Sequence, residues 1–420
     1  MSPSSRILLA LIAGIVGGIA IAGFAPQAVD PVAAVAGPIG QAWLNGLQMT
    51  IVPLVFSLLV TGIAATAEAA QAGRLAGRAV GLYLIVMASS AIAAAFLTPL
   101  FLDIAPLPIE SAAALRHALA GAETVPPVPP VGDFLAGIIP ANALRASADS
   151  NFLSMIVFAL IFAFALMRIE PRLRDLLTRF FSAIRDTMLV VIGWVLWIGP
   201  LGVFALALVV GAKAGSGAFH ALVHYILTVS AVGFTVSLLA YPLAVIGGRV
   251  GLGQYIRAGL PAQAVAISTQ SSLASLPAML ASSRAMGVPV ATAGVTLPLA
   301  VAILRATGPA MNFAVAIYVA TWFGVQLHPA TLAAGALVAM LTSLGSVSLP
   351  GTVSFVGAIS PVCATLGAPV APLGLLVAVE TIPDIMRTLG NVMWDLATTV
   401  TLARGQRVIE DEADAIVEQM

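Results

Sequence analysis

Charged side chains are scarce in this chain. Of its 420 residues, 9% are Asp, Glu, Lys or Arg, whereas 60% are hydrophobic. A soluble domain of this length is about a quarter charged, so the composition excludes an ordinary soluble enzyme and indicates a chain that lies in a lipid bilayer. The net charge is zero, and nothing in it favours binding to nucleic acid.

Cysteine is nearly absent as well, since Cys363 is the single one in the sequence. A disulfide within the chain is therefore excluded, and no second thiol exists to build a cysteine-rich metal cluster. We interpret Cys363 as a buried apolar side chain. We expect no cofactor.

Hydrophobic runs long enough to cross a bilayer recur along the whole chain. Their length predicts helices rather than the short alternating strands of a membrane barrel. The N-terminal run exceeds the apolar core of a signal peptide, so we interpret it as a retained transmembrane helix. The predicted segments are 6–25, 40–66, 78–102, 151–168, 186–213, 218–247, an interrupted one at 254–283, 291–325, a second interrupted one at 331–365, and 369–404.

Two Ser-rich stretches interrupt these helices, ISTQSSLASLPAM at 267–279 and TSLGSVSLPGTVS at 342–354. Each lies between apolar arms too short to span a bilayer alone, and Ser, Pro and Gly weaken a helix. Unwound backbone at membrane depth is tolerated where protein shields it or where it lines a wet cavity. Small residues also pack ordinary membrane helices, but two matching stretches favour a transporter's binding site.

The arginines indicate the orientation of the chain. If both interrupted segments are re-entrant hairpins, most arginines fall on one side, and Arg116, Arg145 and Lys213 fall on the other. The side richer in arginine is cytoplasmic. The predicted fold is therefore an all-α membrane protein with eight transmembrane helices and two re-entrant helical hairpins in an inverted-repeat architecture. We expect a multi-pass protein of the cell inner (plasma) membrane, with both termini in the cytoplasm.

Five polar residues share one face of the apolar last helix, at offsets 0, 3, 4, 7 and 11: Asp384, Arg387, Thr388, Asn391 and Asp395. Arg387 can bind a carboxylate with two parallel hydrogen bonds, and Asp384 can accept from an ammonium group, which suits an acidic amino acid. The alternative is an internal ion pair between Asp384 and Arg387 at i, i+3. Charges within a membrane are costly and in most cases functional, which favours a ligand site.

Several stretches resemble the dicarboxylate/amino acid:cation symporter family, the glutamate transporter homologues. STQSSLASLP and SLGSVSLPG are similar to its two serine-rich hairpins, and DIMRTLGNVMWD keeps its last-helix pattern D-x-x-R-T-x-x-N-x-x-x-D. IIPANAL at 138–144 and IGPLGVFAL at 198–206 resemble further family segments. The resemblance therefore extends over nearly the whole chain.

The resemblance implies a transporter rather than an enzyme. It would import an acidic amino acid such as glutamate or aspartate, or a C4-dicarboxylate, by elevator-type alternating access. Its partners would be the small anionic substrate, the lipid bilayer and two further copies in a homotrimer. The implied divisions are scaffold helices at 1–66 and 151–213, transport-domain parts at 67–102 and 214–410, an extracellular loop at 103–150 and an acidic cytoplasmic tail at 411–420.

The resemblance also implies site residues, among which Arg387 binds a side-chain carboxylate of the substrate and Asp384 its amino group. The implied substrate-binding residues are Asp384, Arg387, Thr388, Asn391, Ser271, Ser272, Ser348, Leu349, Pro350, Gly351 and Gly308. Asp395 is the candidate position for sodium. The residues expected to bind or couple the cation, Na⁺ or H⁺, are Asp395, Asn391, Ser346 and Arg305.

The chain departs from the family at one motif. Where the family has N-M-D-G-T, equal spacing from both hairpins places LRATG at 304–308, so Leu304 and Ala306 replace two oxygen ligands and Arg305 is new. One hypothesis is a tethered cation, in which the Arg305 guanidinium takes the place of a lost sodium and pairs with Asp395. Transport would then be sodium-independent and proton-coupled, weakly sodium-coupled, or an exchange. The other hypothesis is that Arg305 reaches a solvated cavity and has no coupling role.

Two other classes of function are less favoured. An intramembrane enzyme would use Ser271 or Ser272 as nucleophile, but the four histidines map to helix ends or a loop, so no histidine base lies at hairpin depth. A passive channel would conduct ions without saturable, substrate-specific uptake. Both remain alternatives to transport.

Overall fold

The computed structural model describes residues 3–71, 73–106, 138–149, 151–344 and 351–404, and all regular structure within these ranges is helical. The helices, numbered along the chain, are α1 Pro3–Phe24, α2 Val29–Gln48, α3 Ile51–Gln71, α4 Arg74–Ile104, α5 Ala143–Ala148, α6 Phe152–Leu166, α7 Pro171–Trp197, α8 Gly199–Ala214, α9 Ser216–Leu238, α10 Leu252–Thr269, α11 Ser272–Ala285, α12 Val290–Ile303, α13 Thr307–Trp322, α14 Pro329–Leu344, α15 Gly351–Leu366, α16 Leu373–Leu376 and α17 Thr381–Leu402.

Within the described ranges, six helical segments are long and apolar enough to cross a membrane: Arg6–Phe24, Pro26–Ala70, Arg74–Ile104, Pro171–Trp197, Phe219–Gly247 and Val290–Trp322. Shorter apolar helices accompany them, among them α6, α8 and α14. The all-helical prediction is confirmed. The count of eight transmembrane helices plus two re-entrant hairpins, and the division into scaffold and transport parts, stay predictions.

Five predicted helices are not continuous, which corrects the boundaries expected from hydropathy. The one expected at 218–247 is an α-helix to Leu238, followed by a short turn of helix at Ala240–Pro242 and a π-helix at Leu243–Gly247. The segments expected at 40–66, 186–213, 291–325 and 369–404 divide after Gln48, Trp197, Ile303 and Leu376. In each case the following helix carries a proline in its first turn: Pro53, Pro200, Pro309 and Pro383. A proline lacks the N–H that a helix interior needs and is favoured where a new helix begins. A proline therefore accompanies each of these four breaks, although a proline alone does not predict one. Continuous helices also contain Pro38, Pro99, Pro261, Pro277, Pro298 and Pro361.

The first interrupted segment forms a helical hairpin, in which α10 packs against α11. Its tip is short: Gln270 takes a left-handed conformation, with φ 51°, and ends α10. Ser271 then begins α11, because its side chain accepts a hydrogen bond from the N–H of Ala274 at 3.2 Å. The second interrupted segment has the same plan, since α14 packs against α15. Its connection, 345–350, lies outside the described residues.

Helices α13 and α17 lie at the centre of the described fold, and nearly every side chain of α13 is buried. They approach each other closely beside α9. A methyl group at Gly390 of α17 would lie 2.1 Å from Ser237 Oγ on α9 and 2.4 Å from Thr307 Cγ2 on α13. Glycine at this position allows the close packing that brings the polar face of α17 to the start of α13.

Candidate substrate-binding site

A cavity lies where the first hairpin tip, the α12–α13 break, both arms of the second hairpin and α17 meet, and its empty space of about 510 Å³ includes open solvent. Its described walls are formed by Gln270, Ser271, Ser272, Arg305, Gly308, Asn312, Ser343, Ser354, Ala358, Asp384, Arg387, Thr388 and Asn391. Polar side chains from four separate parts of the sequence thus converge on one cavity.

Most of the predicted site residues line this cavity, namely Ser271, Ser272, Arg305, Gly308, Asp384, Arg387, Thr388 and Asn391. Gly351 begins α15. Four predicted residues, Ser346, Ser348, Leu349 and Pro350, lie outside the described residues. Asp395 lies outside the described part of the cavity wall and is completely buried. The structure brings these residues together, and their roles in binding remain predictions.

The guanidinium of Arg387 faces three side chains. Its Nη2 forms an ion pair with Glu380 Oε1 at 2.5 Å, its Nη1 donates to Asn312 Oδ1 at 3.0 Å, and its Nε lies 3.7 Å from Asp384 Oδ1. The pair between Asp384 and Arg387 considered from their spacing therefore exists, but at a distance too long for a hydrogen bond. The main partner of Arg387 is Glu380.

Glu380 was missed in the sequence, although a signal for it was present. It is an isolated acidic residue in the apolar run LLVAVETIP, four residues before Asp384, and so continues the polar stripe toward the N-terminus. Its side chain is completely buried, and its second oxygen, Oε2, accepts a hydrogen bond from Tyr225 OH at 3.3 Å. Glu380 thus positions Arg387, although Glu380 is not itself part of the described cavity wall.

Thr307, the first residue of α13, connects the irregular turn at 304–306 to α17 through hydrogen bonds. Its backbone N–H and its hydroxyl both donate to Asn391 Oδ1, at 3.1 and 2.8 Å, and the hydroxyl also lies 2.7 Å from the carbonyl oxygen of Arg387. On the next turn of α13, Asn312 Nδ2 donates to Ser343 Oγ of the second hairpin at 3.4 Å. Thr307, Asn312 and Ser343 were not predicted, because contacts between separate helices leave no periodic signal in the sequence.

The tethered-cation hypothesis expects Arg305 to pair with Asp395. Among the described residues, neither carboxylate oxygen of Asp395 has a hydrogen-bond partner. The side chain of Arg305 lies at the α12–α13 break, where Leu304 has an extended backbone, and lines the cavity. The interpretation in which Arg305 reaches a cavity agrees with this placement.

The serine-enzyme alternative gains no support from the geometry. Ser271 Oγ accepts from the N–H of Ala274, as a helix cap does. The ring nitrogens of His224 contact Tyr318 OH at 3.0 Å and the carbonyl oxygen of Ala105 at 2.6 Å. No histidine is among the described residues of the cavity wall.

Comparison with known proteins decides the family. Residues 4–404 match the sequence profile of the sodium:dicarboxylate symporter family. The chain belongs to this family. The resemblance seen in the hairpins and the last helix is thereby confirmed, as is the prediction that the protein is a membrane transporter rather than an enzyme.

Relatives within the sodium:dicarboxylate symporter family cover nearly the whole chain. The C4-dicarboxylate transport protein of Rhizobium etli is 25% identical over 97% of this chain and 90% of its own length. The proton/sodium-glutamate symport protein of Bacillus subtilis is 26% identical over 91% and 89%, respectively. The proton/glutamate-aspartate symporter of Escherichia coli is 26% identical over 87% and 84%. The names of these relatives span dicarboxylates and acidic amino acids, so the family carries small anionic substrates.

Proposed function

We propose that this protein is a secondary active transporter that imports an acidic amino acid such as glutamate or aspartate, or a C4-dicarboxylate, together with a cation. One observation carries the proposal: Arg387, Asp384 and Asn391 of α17 face the hairpin serines Ser271 and Ser272 across one cavity. The names of the relatives from Rhizobium etli and Bacillus subtilis support the same substrate class.

Arg387 is the proposed partner of a substrate carboxylate. Glu380 and Asn312 each take one of its donor groups, and Nε has no hydrogen-bond partner among the described residues. A guanidinium has further N–H groups in a planar fork, which suits a carboxylate. Asp384 would accept from the ammonium group of an amino acid, and Thr388 and Asn391 would bind further polar atoms.

We also propose the architecture implied by the family resemblance: eight transmembrane helices, two re-entrant hairpins, a homotrimer and elevator-type movement. The hairpin arms α10, α11, α14 and α15 have 18, 14, 16 and 16 residues, whereas a full span needs about 20. The arginine distribution supports cytoplasmic termini in the plasma membrane. Short paired arms that meet at the cavity support hairpins that enter the membrane and turn back.

Asp395 is the proposed site of the coupling cation. A buried carboxylate without a partner is costly, and a proton or Na⁺ bound to it would remove that cost. At the motif where the chain departs from the family, Leu304 and Ala306 stand in place of two residues with oxygen ligands. This observation favours the alternative form of the proposal, a sodium-independent proton-coupled transporter or exchanger.

Uptake into proteoliposomes tests both forms. Labelled aspartate and labelled succinate are offered with a sodium gradient, with a proton gradient, and with neither. We expect saturable uptake of at least one acid and its loss in Arg387→Gln. Ion flux without saturable uptake would instead support the channel alternative and contradict the proposal. Strict dependence on sodium would exclude the proton-coupled form while leaving symport intact.

A further inference from the structure

Arg305 occupies an unusual place in the fold, the irregular turn between two helix ends at the cavity. Helix α12 ends at Ile303, Leu304 is extended with ψ 100°, and α13 begins at Thr307. Thr307 is fixed by Asn391, so the turn that carries Arg305 cannot drift away from α17. The hydrogen bonds between Thr307 and Asn391 therefore keep Arg305 in the wall of the cavity that Arg387 and Asp384 also line.

The negative charges around the cavity show why a second guanidinium matters for binding an anionic substrate. Arg387 is already matched by Glu380 at 2.5 Å, and Asp384 adds a further negative charge 3.7 Å from its Nε. A substrate with two carboxylates brings two more negative charges into a buried space, where like charges repel strongly. One guanidinium that is shared with Glu380 cannot offset all of them. Arg305 is the other cationic side chain in the described wall.

We infer that Arg305 binds one carboxylate of a substrate that has two, while Arg387 binds the other. Arg305 would thus determine specificity for dicarboxylates and acidic amino acids over their singly charged analogues. The inference rests on the proposed transport function and names the residue that selects the substrate class. The planar fork of a guanidinium is suited to hold a carboxylate with two parallel hydrogen bonds.

This role differs from that of a tethered cation. A guanidinium that replaced sodium would pair with Asp395, yet the oxygens of Asp395 have no hydrogen-bond partner among the described residues. Arg305 instead lines the cavity that Asp384 and Arg387 also line.

The experiment compares ligands that differ by a single charge. Dissociation constants are measured by calorimetry for aspartate against its α-amide, isoasparagine, and for succinate against succinamate. In each analogue the carboxylate assigned to Arg305 is replaced by an amide. The variants are Arg305→Gln, Arg305→Lys and the control Arg185→Gln. Arg185 lines a neighbouring cavity that also touches Arg305, and it is paired with Asp186 at 2.8 Å, but it is not among the wall residues of the substrate cavity.

We expect Arg305→Gln to weaken binding of the diacids by roughly 10- to 100-fold, the range of charge-assisted hydrogen bonds, and to change binding of the monoamides by less than about threefold. Arg305→Lys should retain part of the preference, because it keeps the charge without the fork. Arg185→Gln should behave like the unaltered protein. Equal weakening of acids and amides, or an unchanged preference, would overturn the inference.

Two further outcomes separate the inference from its premise. If the unaltered protein neither binds nor transports any of the acids, the proposed function itself fails. If it transports them and Arg305→Gln changes only the dependence on sodium, the inference fails and the tethered-cation hypothesis gains support. Should Arg305→Gln not fold, as judged by gel filtration, Arg305→Lys decides, and full retention of the diacid preference would contradict the inference.

Discussion

Glu380 and Asp395 lie on the same stretch of chain and are both completely buried, but their surroundings are opposite. One oxygen of Glu380 accepts a hydrogen bond from Arg387 Nη2, and the other accepts a hydrogen bond from Tyr225 OH. Neither oxygen of Asp395 has a hydrogen-bond partner in the part of the chain that is described. A buried charge with its partners in place fixes local geometry, whereas a buried charge without them requires an added ion. The contrast assigns Glu380 to positioning Arg387 and supports Asp395 as the place of an exchangeable cation.

The largest effect is expected from Glu380→Gln. This change leaves the buried guanidinium of Arg387 without its main counter-charge, and loss of one member of a buried pair lowers the free energy of unfolding by about 3–5 kcal/mol. The carboxylate of Asp384, 3.7 Å from Arg387 Nε, offsets part of this loss, so we expect a value at the lower end of the range. Thermal unfolding in detergent measures it. Asp149→Asn, which breaks the exposed pair with Arg145, is the control and should leave the melting temperature unchanged.

Asp395→Asn should act in the opposite way. Without the coupling cation, the variant should be at least as stable as the unaltered protein, because an uncompensated charge has been removed. With cation at about 100-fold above its dissociation constant, the unaltered protein gains about 2.7 kcal/mol, and the variant should not. Melting temperatures in sodium and choline buffers, each at two pH values, check this. The exposed Asp103 provides the control, Asp103→Asn, which should keep the cation response.

Gly390→Ala tests the close packing of α17 against α9 and α13, in the part of the chain between Glu380 and Asp395. The added methyl group would meet Ser237 Oγ and Thr307 Cγ2, so α17 must move away from α9 and α13. Overpacking of this kind costs about 1–3 kcal/mol, measured as a lower melting temperature together with weaker substrate binding. Gly294 of α12 has open space around the same position. Gly294→Ala should therefore not destabilise the protein, and equal losses in both variants would contradict the packing explanation.

The smallest effect is expected from Tyr225→Phe, which removes the donor to Glu380 Oε2. A hydrogen bond to a charged group contributes about 1.5–3 kcal/mol, and the long separation of 3.3 Å places this one at the lower end of that range, so the melting temperature should fall by less than in Glu380→Gln. If Tyr225 acts through Glu380, the double variant should be little worse than Glu380→Gln alone. Additive losses would show that the two residues stabilise the fold independently.

The sequence allows the polar stripe of α17 to be predicted, because helical periodicity is a property of neighbouring residues. Asp384, Arg387, Thr388 and Asn391 all reach the cavity as their spacing indicates. Whether Arg305 pairs with Asp395 depends on how α12, α13 and α17 pack, which spacing within one helix does not determine. Glu380 lies four residues before Asp384 on the extension of the stripe, but its contact with Arg387 depends on the break after Leu376, which the predicted continuous helix at 369–404 did not contain.

The hydrogen bonds of Asn312 have a direction that the guanidinium imposes. Arg387 can only donate, so the Asn312 oxygen must face it, and the amide nitrogen must then face Ser343 of the second hairpin. Ser343 Oγ in turn donates to the carbonyl oxygen of Ala339 at 2.7 Å. Every proton in this chain of contacts points away from the positive charge. A neutral residue at position 387 would leave the Asn312 amide free to turn round. The direction of the hydrogen bond between Asn312 and Ser343 on α14 would then no longer be fixed by α17.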